Sequence, residues 1–207
     1  MVIQMSLFES VLGLLILRPL YFLGFGVLGL ALFYLFLQDR TLPKPRVIIS
    51  SVLMYYYLGV LLSNIVGAPT LREFLRLTQL GEPIFNPNLS LTPFVNEPGL
   101  EFALNVLLFI PLGFLCPVMS YRHRRLRRMV VLGFGFSLAI EISQLFTRHR
   151  VSDINDLIAN TLGAVIGYLC FVLIARFFKD RALGEADLTG FLPIGVIGLA
   201  FVFRFIA

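Results

Sequence analysis

Apolar residues dominate this chain in long runs, separated by short polar stretches. The runs cover about residues 20–38, 47–67, 101–120, 129–147, 154–176 and 190–206. Each approaches or exceeds about 18 residues, the length needed to cross a hydrocarbon core of roughly 30 Å. The pattern predicts an all-α fold, a polytopic transmembrane helix bundle of about six spans. Residues 1–17 are apolar but short, and Arg18-Pro19 closes them off from the first span. They are expected to form an amphipathic segment lying on the membrane or tilted in its interface.

Composition supports this reading. Hydrophobic residues make up 58% of the chain and charged residues 14%, against about a quarter charged in an ordinary soluble domain. The net charge of +5 points to loop orientation, not to nucleic acid. Loop 39–46 holds Arg40, Lys44 and Arg46, loop 121–128 holds five arginines, and loop 176–189 holds Arg176, Lys179 and Arg181. The intervening stretches 68–100 and 148–153 carry only Arg72, Arg76, Arg148 and Arg150. The positive-inside rule then makes the first three loops cytoplasmic. Six spans place both termini outside; a seventh would move the N-terminus inside. Cys116 and Cys170 sit in apolar runs as packing residues, with no metal or disulfide spacing. No basic n-region with a cleavage site opens the chain, so a removed signal peptide is not expected.

The long outer loop begins with Pro69 and the capping box Thr70-x-x-Glu73, which predicts a short helix with Leu71, Phe74 and Leu75 on one face. Gly81 should end it. The following stretch holds Pro83, Pro87, Pro93 and Pro98, too dense for a regular helix. A surface or re-entrant helix followed by an extended cap is expected. The G-x-G-x-x-G at Gly24, Gly26 and Gly29 lies within a span and follows no strand, so helix packing outweighs a dinucleotide site. Gly163 and Gly167 likewise mark a close-packing face, and Tyr55, Tyr56 and Tyr57 read as core aromatics.

Polar residues inside the spans carry the candidate chemistry. Glu141, Gln144 and Arg148 fall at i, i+3 and i+7 on the fourth span, and Asp153, Asp156 and Asn160 repeat that spacing on the fifth. Glu141 and Asn160 each lie about 10 Å below the nearer helix end. Glu101 and Asn105 share a face of the third span. Three polar faces thus converge on the outer half of the bundle. A charge in hydrocarbon costs at least about 2.5–3.5 kcal/mol, so Glu141 should face the bundle interior, with Arg148, Arg150 and Asn160 within reach. Competing readings remain open for each residue. Asp153 and Asp156 can serve as helix caps and dipole partners. Arg148 and Arg150 can anchor at the interface, Asn105 and Asn160 can be interhelical glue, and His149 reads as a solvated loop residue.

Three blocks, "NVLLFIPLGFLCP", "SLAIEISQLF" and "RHRVSDINDLIANTLGAVIGY", resemble the VanZ-like family over about residues 90–170, and the upstream "LTPF" fits as well. The resemblance maps the family's Asn onto Asn105, its Pro and Gly onto Pro111 and Gly113, and its Glu and Gln onto Glu141 and Gln144. Its Arg maps onto Arg150, with Arg148 competing, and its acidic pair and Asn onto Asp153, Asp156 and Asn160. Ser152 departs from the common pattern. Residues 1–45 then form the interfacial segment and first span, 46–178 the VanZ-like membrane domain, and 179–207 a cytoplasmic loop and last span. The resemblance implies a multi-pass protein of the bacterial plasma membrane, and the family's namesake is associated with low-level teicoplanin resistance.

Three functions follow as alternatives. In the first, Asn105, Gln144, Arg148, Arg150 and Asn160 bind the head group of a membrane lipid, a lipid-linked cell-wall precursor or a glycopeptide, arginine suiting phosphate by its bidentate geometry. In the second, Glu141 is an acid or base on a lipid-linked substrate with Asp153 and Asp156, optionally through a divalent cation; no cofactor is otherwise implied. In the third, the chain is a structural or regulatory membrane partner.

Overall fold

Helix follows helix because each apolar run is long enough to satisfy its own backbone hydrogen bonds, the condition a lipid environment imposes. The computed structural model describes residues 12–40, 42, 44–94, 99–147, 150–177 and 188–207. The long helices are α1 (Tyr21–Gln38), α2 (Lys44–Val60, continuing into a π-helical turn at Leu61–Ile65), α4 (Leu100–Met119), α5 (Leu126–Gln144), α6 (Ile154–Phe177) and α7 (Leu192–Ile206). A short helix, α3 (Leu71–Gln79), lies between α2 and α4. Five of the described helices are long and apolar enough to cross a membrane: α1, α2 with its π turn, α4, α6, and α7 with the turn before it. α5 is 19 residues long, but Arg127, Arg128 and Glu141 separate it from that group on composition. Large apolar side chains such as Leu30, Leu107 and Val131 stay exposed on the outside of the bundle. Water would not tolerate so much exposed apolar surface, whereas acyl chains do.

The tightest seam joins α4 to α6. A Cβ at Gly163 would fall on the carbonyl oxygen of Val106, one at Gly167 on that of Ile110, and one at Gly113 on that of Ala164. Small residues let the two backbones touch, which is how helices gain dispersion energy where lipid competes equally for apolar surface. α5 packs beside α6, with Met129, Phe136 and Ile140 buried. Of the three tyrosines expected in the core, Tyr55 is buried and Tyr57 half-buried, whereas Tyr56 is exposed; each hydroxyl donates to a backbone carbonyl, Tyr55 to Tyr21, Tyr56 to Leu15 and Tyr57 to Leu108. Of the three glycines in the α1 motif, only Gly24 is closely approached, by the Tyr55 ring.

Most of the N-terminal segment expected at the interface, residues 1–11, lies outside the described residues. The remainder is pinned to the end of α2, where the Asn64 amide donates to the carbonyls of Leu14 and Ile16. At the arginine-rich end of the bundle, Arg124 and Arg46 donate to Pro117 O and Val118 O, the last carbonyls of α4. A cation there also complements the helix dipole.

The loop before α4 follows its sequence signals, with one departure. Thr70 accepts from the Glu73 amide at 3.3 Å and caps α3. Gly81 adopts φ 66° just beyond the helix. Leu77 is the buried residue of α3, while Leu71 and Leu75 are exposed. Phe74 stacks on Phe146 and meets Phe205 edge-on. The inward face is therefore Phe74 and Leu77, three residues apart, and Leu71 and Leu75 turn away from the bundle. The extended part contains a short parallel strand pair: β1 (Leu89–Ser90) lies beside β2 (Ser152–Asp153). Thr70→Ala should cost about 1 kcal/mol of local helix stability. Hydrogen exchange at residues 73–77 should accelerate while the melting temperature of the bundle stays constant. Unchanged exchange would mean that the cap does not hold α3.

Candidate functional site

Three elements build the site: the end of α2, the α5–β2–α6 hairpin and the N-terminal half of α4. The π turn shifts the bonding of α2, so that the Val66 amide donates to Leu61 O at 2.8 Å and the Ala68 amide to Leu62 O at 3.2 Å. Such turns leave carbonyls without helical partners and recur at functional sites. Side chains from distant elements take them up. Arg150 Nη2 donates to Ile65 O at 3.0 Å, Gln144 Nε2 reaches Val66 O at 3.5 Å, and Arg204 Nε donates to Ala68 O at 2.7 Å. Gly67 allows this for two reasons. Its φ is 69°, and a Cβ there would press on the Arg150 guanidinium at 3.1 Å.

Glu141 is 5% exposed and is held by β2. Its Oε2 accepts from Ser152 Oγ at 3.0 Å and from the Asp153 amide at 3.0 Å. The expected partners do not supply these bonds. Arg150 is turned to the end of α2, Asn160 Nδ2 donates to Ser137 Oγ at 3.0 Å, and Arg148 and His149 lie outside the described residues. The reason is local. Asp153 caps α6 by accepting from the Asn155 amide at 2.8 Å, which aims its own amide, and the neighbouring Ser152 hydroxyl, back at α5. Ser152, which in the sequence stands out only as a departure from the family pattern, is the residue that completes this contact. A hydroxyl directly before a capping aspartate was its signal.

Asn105 Nδ2 donates to Asp156 Oδ1 at 2.6 Å, tying α4 to α6. Asn160 ties α6 to α5 through Ser137. Asn155 Oδ1 accepts from the Phe94 amide at 3.0 Å, and the Asn86 amide donates to Leu145 O at 2.9 Å. These two bonds and the β1–β2 pair fasten the proline-rich loop over this end of the bundle.

Inside the frame is a cavity of about 70 Å³, lined by Asn105, Glu141, Gln144, Arg150, Asp156 and Asn160 against apolar walls from Leu61, Phe109 and Ile140. Asp153 is not in its wall. Arg150 forms no salt bridge with Glu141 or Asp156. Gln144 Oε1 is buried with no hydrogen-bond partner among the described residues. A bare buried acceptor costs about 1–3 kcal/mol, so the cavity presents an acceptor, two carboxylates and one guanidinium to whatever enters it. The three acidic residues do not form a metal-binding group among the described residues. Asp153 is engaged by the Asn155 amide, Glu141 Oε2 by β2 and Asp156 Oδ1 by Asn105.

The VanZ/LLP1 family model matches residues 48–175 of the chain, which include nearly all of α2 through α6. A curated relative, "Protein VanZ" of Enterococcus faecium, is 29% identical over 118 residues, covering 56% of this chain and 71% of that protein. No solved structure gives a significant match. Every residue in the cavity wall falls within the matched segment, and this multi-pass membrane protein belongs to the VanZ/LLP1 family.

Proposed function

We propose that the cavity at the Glu141 end of the bundle is a head-group site on the outer face of the bacterial plasma membrane. It takes the polar end of a membrane lipid, a lipid-linked cell-wall precursor or a glycopeptide, and by that route lowers susceptibility to a lipid-tailed glycopeptide such as teicoplanin. The observation that carries this reading is the convergence on one cavity of five polar residues from three helices, and of Arg150 from the α5–β2 connection, with a buried acceptor that has no partner among the described residues. The asymmetry of basic residues between the loops supports the outward orientation. At about 70 Å³ the cavity admits a small group: a phosphate, hydroxyl or ammonium, not a whole antibiotic. Arg150 meets an anionic oxygen, while Glu141, Asp156 and Gln144 Oε1 accept from hydroxyl or ammonium donors. The remainder of the ligand lies along the lipid-facing surface or the proline-rich loop.

The test is susceptibility and binding in parallel. Expression in a susceptible bacterium should raise the inhibitory concentration of teicoplanin. The purified protein should bind teicoplanin or a lipid-linked wall precursor. Arg150→Lys, which keeps the charge but loses the fork, and Glu141→Gln should each weaken binding about tenfold, equivalent to ~1.4 kcal/mol. Both variants should reach wild-type expression. Full binding and full tolerance in both would overturn the head-group reading and favour a cluster that only joins helices.

A further inference from the structure

A second, larger feature lies at the opposite end of α5. The helix begins beside Arg125, Arg127 and Arg128, and all three side chains are exposed. Among the described residues none of them forms a salt bridge with an acidic side chain; Arg128 Nη1 donates to the carbonyl of Arg122 at 2.9 Å. From this arginine cluster a furrow runs up between α5 and α7, with a volume of about 760 Å³. That is within the roughly 300–1,000 Å³ of ordinary ligand pockets. The furrow reaches Ala139, about 16 Å along the axis from Arg128 at 1.5 Å per residue. It therefore spans about half of a hydrocarbon core of roughly 30 Å, the depth of one leaflet.

The furrow is open because of two glycines. Gly135 on α5 and Gly198 on α7 both line it, and nothing lies within 4 Å of where either would carry a Cβ. The two helices meet instead through the edge-to-face pair Phe136–Phe201, at 5.8 Å between centroids. The glycines are thus not used for helix contact. An apolar slot one leaflet deep, with guanidinium groups at its mouth, complements an amphiphile with an anionic head and an apolar tail.

We propose that this furrow is a binding site for an acidic glycerophospholipid of the leaflet on the arginine side. The phosphodiester lies against Arg125, Arg127 and Arg128, and an acyl chain lies along Gly135 and Gly198. Arginines next to a membrane helix attract anionic lipid, and guanidinium forks match phosphate oxygens. The site shares no residue with the Glu141 cavity and does not depend on the function proposed for it.

The experiment uses the full chain in nanodiscs of phosphatidylcholine containing a minor fraction of phosphatidylglycerol, with native mass spectrometry after release into detergent. The wild type should retain phosphatidylglycerol in preference to phosphatidylcholine. Arg125→Gln, Arg127→Gln and Arg128→Gln should each reduce that preference about fivefold. Gly135→Leu, with open space for its side chain, should keep the melting temperature and lose the retained lipid. Millimolar inorganic phosphate should not displace the lipid, because the acyl chain supplies part of the affinity. Equal retention of the two lipids by the wild type would overturn the proposal. So would undiminished retention in Gly135→Leu. Displacement by inorganic phosphate would also overturn it, in favour of a simple anion site. If the arginine variants do not fold, Gly135→Leu alone decides between these outcomes.

Discussion

Gly163→Ala is expected to lower the melting temperature of the bundle sharply, although it adds a single methyl group. That methyl would land on the carbonyl oxygen of Val106 and within 2.9 Å of Phe109 Cβ. A carbonyl in mid-helix cannot rotate aside, so α4 and α6 must separate. Overpacking of this kind costs about 1–3 kcal/mol, and here it also forfeits dispersion along the whole Gly113–Gly163–Gly167 seam. Asn105–Asp156 lies on the same two helices, so the separation should also distort the cavity. Gly26→Ala is the control. No atom lies within 4 Å of its new Cβ, and alanine is the better helix former by up to about 1 kcal/mol. Thermal scans followed by size-exclusion chromatography should show Gly163→Ala aggregating well below the wild type, with Gly26→Ala at or above it. Equal melting of the two variants would show that the seam does not hold the fold.

Glu141→Ala should be the most damaging change at the cavity. It leaves the partly buried Asp153 amide without its acceptor, at about 1–3 kcal/mol, and leaves the Ser152 hydroxyl only the Glu141 backbone carbonyl, at 3.2 Å. It also opens a void where the side chain had been. The loss should reach about 3 kcal/mol or more and should release the β2 turn from α5. Glu141→Gln keeps a carbonyl oxygen where Oε2 stood and should melt close to the wild type. Exchange at the Asp153 amide should be fast in the alanine variant and slow in the glutamine variant. The pair separates scaffold from binding, since Glu141→Gln is also expected to lose the ligand. If the alanine variant melts like the glutamine variant, Glu141 does not hold β2.

Much of this architecture could be read from the chain because the relevant forces are local or one-dimensional. Each long apolar run became a helix with ends within about three residues of the expected ones, as the length of a span is fixed by the membrane. The Thr70 cap and the Gly81 stop depend on neighbours only a few positions away. The helical spacing of Glu141 and Gln144, and of Asp156 and Asn160, sufficed to bring them with Asn105 around one cavity. What escaped the sequence depends on how distant segments dock. The π turn that frees Ile65 O decides where Arg150 goes, and nothing in "LLSNI" announces it. The β1–β2 pair joins residues more than sixty positions apart through two-residue strands, too short to show alternation. The inward face of α3 was misread because Leu71, Phe74, Leu75 and Leu77 are all apolar, and only the aromatic contact with Phe146 and Phe205 selects among them.

The β1–β2 pair also settles a matter of parity. Two strands that share hydrogen bonds must lie on the same side of a bilayer. Between Ser90 and Ser152 the chain must therefore traverse the membrane an even number of times. α4 accounts for one traverse, and the return falls to α5, the other helix of spanning length among the described residues of that interval. Hydropathy alone would leave α5 out, because of Arg127, Arg128 and Glu141. With α5 included the total from α1 to α7 is six, which returns the chain to the side where α1 began. Arg18, just before α1, gives the same even parity from α1 to α7: its Nη1 donates to the carbonyl oxygen of Ala207, just beyond α7, at 3.4 Å.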